Sequence, residues 1–405
     1  MENSNTRHQR ILILPSWYPN RDHQIGSFFQ EQAQFLDQNG FEVKVLMGQQ
    51  LHTKNSLYHR IKRWLRRKPK GLSKAYLNQN PEAFSFPIIL QNNWSEERQY
   101  RVANNCYLNA YSAFCKKHWT PDIIHVQGTF RAGFSAEKIC EAYAVPYVIM
   151  EHSPFKLSAF SPFKKEKIKS ALMNATKVGA VSQYQKKRMK EDGIDREIDV
   201  IWNLMDEERF RLKDTSQSSK FVISTVTTPN KVKDVLTFFR AIAAFANSLK
   251  DRDQVEVVVV GNNVGSTDTS YYEKHAGELN ILDLCTFNSY MDRKAIEILM
   301  KRSTVFISTS LDEPYGVAIR EAMLCGTTVI STRSGGPEDS INEETGVLVD
   351  IGDYKDIAKH LKLIKNETLR FDKTYIRNYI IKQAGQNAFL QAMKKFYSLS
   401  TDYVN

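Results

Sequence analysis

The stretch that most constrains this chain runs from Ser308 to Gly326, just after the run Ser303 to Ile307. Ser303 to Ile307 is an apolar, β-branched run that reads as a buried strand. The turn Asp312-Glu313-Pro314-Tyr315-Gly316 follows, and a helical pattern opens at about Val317 and stops at Gly326. Val317, Ile319 and Ala322 or Met323 face a core in this reading. A strand, a short loop and a helix N-terminus leave backbone N–H groups at Gly316 and Val317 aimed at one spot. Such a spot takes an anion, most naturally a phosphate. Two carboxylates frame it, Glu313 on the loop and Glu321 inside the helix, with seven residues between them. A glutamate pair taken alone reads as a solvated helix face, so the flanking sequence has to decide.

The rest of the chain alternates strand and helix signals. Ile11 to Leu14 is a short apolar strand, followed by Pro15-Ser16-Trp17-Tyr18-Pro19 and a loop to Gly26. A helix with Phe28, Phe29, Ala33, Phe35 and Leu36 follows, and Phe41 to Met47 is the next strand. This βαβ opening predicts a doubly wound sheet with ligands at the carboxyl ends of its strands. No G-x-G-x-x-G is present, which argues against an ordinary dinucleotide site. Pro121 to Gly128, a strand running into a glycine turn, and a strand at Tyr147 to Met150 continue the alternation, with His152 just past the second. A polar, Ser-rich run from Lys213 to Lys220 reads as a linker, and Phe221 to Val226 opens a second domain. Val255 to Val260 is a continuous apolar strand suited to the centre of a parallel sheet. At 405 residues, two domains with their own cores are expected.

Charge and cysteine usage narrow the setting. The net charge of +11 calls for a negative partner. Lys54 to Lys70 carries eight Lys or Arg and no acid, with Leu57, Ile61, Trp64 and Leu65 at helical spacing. This reads either as a basic amphipathic helix for an anionic membrane surface or as a solvated basic loop. It lies within a larger insertion, 51–98. Phe155 to Lys169 is a second basic and aromatic segment. No nucleic-acid recognition motif appears. Five cysteines without a C-x-x-C pair suit free thiols in a reducing cytoplasm, and a polar start predicts no signal peptide. The single D-x-D, Asp251-Arg252-Asp253, lies in a charged turn, so no metal site is expected.

The flanks settle the glutamate pair. Glu313-Pro314-Tyr315-Gly316 before the helix and Glu321-Ala322-Met323 within it resemble the E-x7-E signature of the family 4 retaining glycosyltransferases, which have the GT-B fold. Ser334-Gly335-Gly336-Pro337-Glu338 resembles the same family's glycine pair, and Glu344 to Val349 its next strand. The resemblance is strong over Val255 to Asp353 and weaker elsewhere. The Pro15-to-Pro19 opening with Gly26 is similar to the first loop of members that build bacterial surface polysaccharides.

That resemblance implies two Rossmann-like domains facing across a cleft: 1–205 on the acceptor side, 206–385 binding the nucleotide sugar, and a helix over 386–405 returning to the first. The implied reaction moves a sugar from a nucleotide diphosphate, UDP by expectation, to a hydroxyl of a glycan or lipid-linked acceptor. Retention at the anomeric carbon, no metal and no cofactor go with it. By the same resemblance Glu321 holds the ribose, Glu313 the donor sugar, and His152 contacts the sugar and helps position the acceptor. Gly26, Gly316, Val317 and Tyr315 would lie at the donor. Asn203 begins a segment similar to the family's Asn-Gly-Val-Asp, with Leu204 in place of the glycine. Members carry Gly-Arg-Leu and then a lysine that clamp the diphosphate. Here the arginine is missing, and the lysine is Lys231 or Lys233, with the spacing to Arg240-Ala241 favouring Lys233. The expected location is cytoplasmic, on the inner face of the cytoplasmic membrane. A GT-B nucleotide-sugar epimerase and a non-catalytic nucleotide-sugar-binding or scaffold relative are the alternatives.

Overall fold

The computed structural model describes residues 7–19, 26–53, 72–74, 80–212, 220–261 and 267–398. The basic stretch Lys54 to Lys70 lies outside them. Two compact units result. The first takes the described residues up to Val181, Lys186–Ile201 and those from Leu390 onward; the second takes Ser182–Gln185 and Trp202–Phe389.

Among the described residues unit 1 is built on eight strands: β1 (Gln9–Pro15), β2 (Phe41–Thr53), β3 (Ser73–Lys74), β4 (Ala83–Gln91), β5 (Ile123–Gln127), β6 (Tyr147–Glu151), β7 (Lys177–Ala180) and β8 (Asp199–Val200). Their order is β3-β4-β2-β1-β5-β6-β7-β8. Every pairing is parallel except β3 with β4. Ile11 to Leu14 of β1 are wholly buried, as a parallel strand covered on both faces requires. The chain leaves β1 toward β2 on one side and later returns to pair β5 on the other. The carboxyl end of β1 is therefore the point where crossovers diverge and a crevice opens. Ser16 ties this point together, its hydroxyl donating to the carbonyls of Gly128 and Phe130 at 2.8 and 2.7 Å.

One strand escapes the sequence reading. Within the stretch read as an insertion, β4 is a full member of the sheet, with Phe84, Phe86, Ile88 and Leu90 buried. Pro87 disguises it, because proline lacks the N–H a central strand needs. The topology accommodates it: among the described residues β3 pairs only with Phe84 and Ser85, and none pairs with Pro87 on that side.

Among the described residues unit 2 holds six strands, all parallel where paired, in the order β11-β10-β9-β12-β13-β14. They are β9 (Phe221–Val226), β10 (Val255–Val260), β11 (Cys285–Asn288), β12 (Val305–Ser308), β13 (Thr328–Thr332) and β14 (Val347–Val349). The helix Val235–Ala246 packs Phe238, Phe239, Ile242 and Phe245 against β9 and β10, every one of them wholly buried. Its near-continuous apolar surface marks it as a core helix. Here the crossovers diverge at β9, which lies between β10 and β12. The loops after β9 and β12 are thus neighbours at the carboxyl edge. Both units are doubly wound α/β folds of Rossmann-like character, as the alternating pattern predicts.

Candidate functional site

In unit 2 the two loops are stitched together before any side chain acts. The hydroxyl of Thr309 donates to the carbonyls of Lys233 and Asp234 at 3.2 and 2.9 Å, and Leu311 N–H donates to the carbonyl of Val232 at 2.7 Å. Lys231–Lys233 forms one turn of 3-10 helix, capped by Asn230, whose side chain accepts from Lys233 N–H at 3.0 Å. This geometry separates the two lysines. Lys231 is exposed, while the Lys233 ammonium donates to Glu313 Oε2 at 2.5 Å. The other oxygen of Glu313 accepts from the Gly316 N–H at 3.1 Å. One carboxylate therefore bridges the lysine after β9 and the first free amide of the helix Val317–Leu324.

Gly316 caps that helix at φ 84°, ψ 60°, a left-handed conformation that favours glycine, and it has no side chain of its own to cap it. A helix N-terminus of this kind favours negative charge, and the Glu313 carboxylate stands there. Val317 begins the helix, half-buried. Glu321, 4% exposed, receives a charge-assisted bond from Arg293 at the start of the helix Arg293–Arg302. Sequence reasoning missed Arg293. It sits 28 residues upstream in a run that reads as an ordinary amphipathic helix. It also missed Arg320, wholly buried directly beside Glu321. The Arg320 guanidinium donates to the carbonyls of Tyr315 and Gly336, and its Cζ lies 3.9 Å from the Tyr315 ring centroid. Burial pulls it below the usual arginine value, and the ring face offsets part of the lost hydration.

The glycine pair now has a physical role. Glu313 N–H donates to Ser334 O at 2.9 Å and Gly336 N–H to Glu313 O at 2.7 Å, so the second loop lies along the first as a short parallel bridge. A Cβ on Gly336 would stand 2.4 Å from the Pro314 carbonyl oxygen, and one on Gly335 would stand 2.4 Å from the Tyr184 ring. Only glycines permit this approach. The Tyr184 hydroxyl in turn donates to Asp312 at 3.1 Å. Tyr315, 3% exposed, donates its hydroxyl to the Asn203 carbonyl at 2.9 Å, and burial raises its pKa. Lys233, Glu313, Tyr315, Gly316, Val317 and Glu321 are thus one neighbourhood, Asn203 is anchored to it by its backbone, and Lys231 stands outside the ion pair.

The remaining two predicted residues belong to unit 1. His152 follows β6 and packs against Phe29 and Phe28, with ring centroids 4.6 and 5.7 Å away. Its backbone N–H and those of Ser153 and Thr129 all donate to the buried Glu151 carboxylate, at 2.8 to 2.9 Å. Glu151 is a positioning residue that the sequence reading passed over in favour of its neighbour. Gly26, at φ 88°, caps the helix Ser27–Gln38 and leaves no room for a Cβ beside Trp17. His152 and Gly26 share a strand-end neighbourhood through Phe29. Among the described residues no group of three or more His, Cys, Asp or Glu could hold a metal ion, and no helix is long and apolar enough to cross a membrane.

Two doubly wound domains, one with a helix N-terminus framed by two carboxylates and a lysine, define the class of two-domain Rossmann-like proteins. The comparisons make the class specific. The chain belongs to the family described as glycosyl transferases group 1, whose model matches residues 184–393. A second model, glycosyltransferase family 4, matches residues 25–209. It is 25% identical over 253 residues to an uncharacterised glycosyltransferase of Methanocaldococcus jannaschii, covering 62% of this chain and 67% of that one. It is 28% identical to the N-acetyl-alpha-D-glucosaminyl L-malate synthase of Bacillus anthracis, over 43% of this chain and 46% of the enzyme, so the match spans less than half of that relative's length. Among solved structures, sucrose-phosphate synthase from Thermosynechococcus elongatus superposes with a TM-score of 0.71 at 16% identity, covering 96% of this chain and 98% of that one. Anabaena HepE, solved in complex with UDP-glucose, gives 0.70 at 17% identity, covering 97% of this chain and all of that one. The fold is that of the GT-B glycosyltransferases, as expected from the E-x7-E resemblance.

Proposed function

We propose that this glycosyltransferase moves a hexose or amino-hexose from a nucleotide diphosphate sugar, with UDP as the nucleotide, to a hydroxyl of a glycan or lipid-linked saccharide. The observation that carries the reading is the Glu313 carboxylate joining Lys233 to the helix N-terminus at Gly316. The bond to be broken has a diphosphate leaving group, so the demand on the protein is to stabilise growing negative charge. In this reading Lys233 and the amides at Gly316 and Val317 take that charge. Glu313 hydrogen-bonds the donor sugar, and Glu321, oriented by Arg293, accepts the ribose hydroxyls. Asn203 and Tyr315 support the loop from behind, and Lys231 plays the smaller part. His152 contacts the sugar and positions the acceptor, with Gly26 shaping the loop beside it. The sugar's configuration at the anomeric carbon is retained, the acceptor proton passing to the departing phosphate. The same lysine-and-amide arrangement supports turnover without a metal.

The charge supports a peripheral role at the cytoplasmic face of an anionic membrane, where a lipid-linked acceptor is presented. The test of the reaction is incubation with UDP-glucose, UDP-galactose and UDP-N-acetylglucosamine, with proton NMR of the product. Transfer with the donor's anomeric configuration supports the reading. Inversion, or sugar interconversion without acceptor, defeats it. The membrane reading predicts flotation with vesicles containing anionic lipid and release by salt, at about 1 kcal/mol per engaged cation. Equal binding of wild type and a Trp64→Ala, Arg66→Ala, Arg67→Ala variant would remove it.

A further inference from the structure

Arg320, the fourth residue of the helix Val317–Leu324, is a wholly buried cation that the ion pairs around Glu313 and Glu321 leave out. We propose that it is a positioning residue for the donor's diphosphate: its charge, passed through the Tyr315–Gly316 peptide, makes the Gly316 N–H a stronger donor to a nucleoside diphosphate. The ligand's identity is taken from the proposed function.

The side chain turns back toward the helix start, as long helical side chains do. One guanidinium nitrogen donates to the Tyr315 carbonyl, and the other to the Gly336 carbonyl at 3.2 Å. The first of them would lie 3.6 Å from a Cβ placed on Gly316. The Tyr315 carbonyl and the Gly316 N–H are the two ends of one planar peptide group and point in opposite directions. A cation on the oxygen polarises that group, so the N–H at its far end donates more strongly. This N–H bonds Glu313 Oε1 at 3.1 Å, at a helix N-terminus that already favours negative charge. The chain of guanidinium, carbonyl, amide and carboxylate therefore ends where the leaving group's charge is to be held.

The pairing of the neighbouring charges shows why an arginine stands here. Lys233 is paired with Glu313 and Arg293 with Glu321. Among the described residues no carboxylate is ion-paired with Arg320, which gives its bonds to neutral carbonyls and keeps a buried Nε without an acceptor. Asp339 and Glu313 feel its charge through space, but Asp339 accepts instead from the Gln183 and Tyr184 amides at 2.9 and 3.5 Å. Burying a cation without an ionic partner is costly, and the Tyr315 and Trp202 rings, 3.9 and 5.6 Å from Cζ, offset part of that cost. A guanidinium does not shed its proton under such burial, so the charge stays. Tying Tyr315 to Gly336 needs only a neutral donor; what the arginine adds is charge, in surroundings where charge acts at longer range than in water.

The test titrates UDP and uridine by calorimetry into wild type, Arg320→Gln and Arg320→Lys, with urea unfolding to establish that each is folded. The two ligands share base and ribose and differ in the diphosphate. Glutamine keeps a donor and drops the charge, whereas lysine keeps the charge. We expect Arg320→Gln to weaken UDP about tenfold and uridine less than about twofold, with Arg320→Lys within about threefold of wild type for both. A purely structural tie would weaken both ligands alike, and that result overturns the proposal. So does unchanged UDP affinity in Arg320→Gln, or an Arg320→Lys variant that loses as much UDP affinity as Arg320→Gln. Should Arg320→Gln fail to fold, Arg320→Met is the neutral variant. Should both fail, Arg320→Lys decides, and a tenfold loss of UDP with uridine unchanged overturns the proposal. Wild type that binds neither ligand removes the donor-site reading and this proposal with it. Wild type that binds UDP beside an indifferent Arg320→Gln removes the proposal alone and leaves the donor site standing.

Discussion

Lys233 and Glu313 hold each other at 2.5 Å with the lysine half-buried, whereas Lys231, two residues earlier, is exposed. The account therefore predicts that Lys233→Ala reduces kcat by about 100-fold, the scale of removing one preorganised charge donor, while Lys231→Ala costs under tenfold. Steady-state kinetics with the identified donor reads both, and the reverse order would move the diphosphate contact upstream. Glu313→Ala should lower turnover more than nucleotide affinity, since in the proposed arrangement it touches the sugar and not the base. An effect confined to nucleotide binding would exchange the roles of the two glutamates. At this scale the sequence is legible for position: Glu313 on the loop and Glu321 inside the helix stand where the spacing put them. It is opaque for Arg293 and Arg320, whose charges are matched by groups brought close only by the fold.

The elements at the carboxyl edge of the unit 2 sheet depend on backbone approaching backbone. Gly336 lies against Pro314 and Tyr315, with no space for a Cβ. Gly336→Ala should destabilise unit 2 by about 1–3 kcal/mol through overpacking and lower activity with it, as urea unfolding and turnover would measure. Wild-type stability in that variant would show that the loop is not constrained. The glycine pair was visible in the sequence, but its reason, a parallel bridge from Glu313 to Gly335, belongs to tertiary structure. The strand β4 shows the converse. Its alternating burial is strong, yet Pro87 hides it, because which neighbour a proline faces cannot be read from a single segment.

At the scale of the whole molecule, unit 1 carries a built-in acid sensitivity. His125 on β5 is wholly buried, its Nδ1 is 2.7 Å from the Tyr397 hydroxyl, and burial pulls its pKa down from 6.5 to about 3. The folded value lies below the unfolded one, so the unfolded chain binds the extra proton. Stability conferred by the neutral ring is complete above pH 6.5 and is lost as pH falls toward 3. Between pH 7 and pH 5 this one group should remove about 2 kcal/mol, and His125→Gln should flatten that part of the urea-unfolding profile. An unchanged slope would mean the ring is already protonated in the fold. The central claim is that the family's nucleotide-sugar chemistry resides in the loops of unit 2, and calorimetric titration of UDP in the presence of EDTA tests it most directly. The account predicts that wild type binds without metal and that Glu321→Ala weakens binding by about 1.5–3 kcal/mol, through loss of a buried charged acceptor for the ribose hydroxyls. Binding that requires added Mg²⁺ or Mn²⁺, or equal affinity in Glu321→Ala, would contradict it.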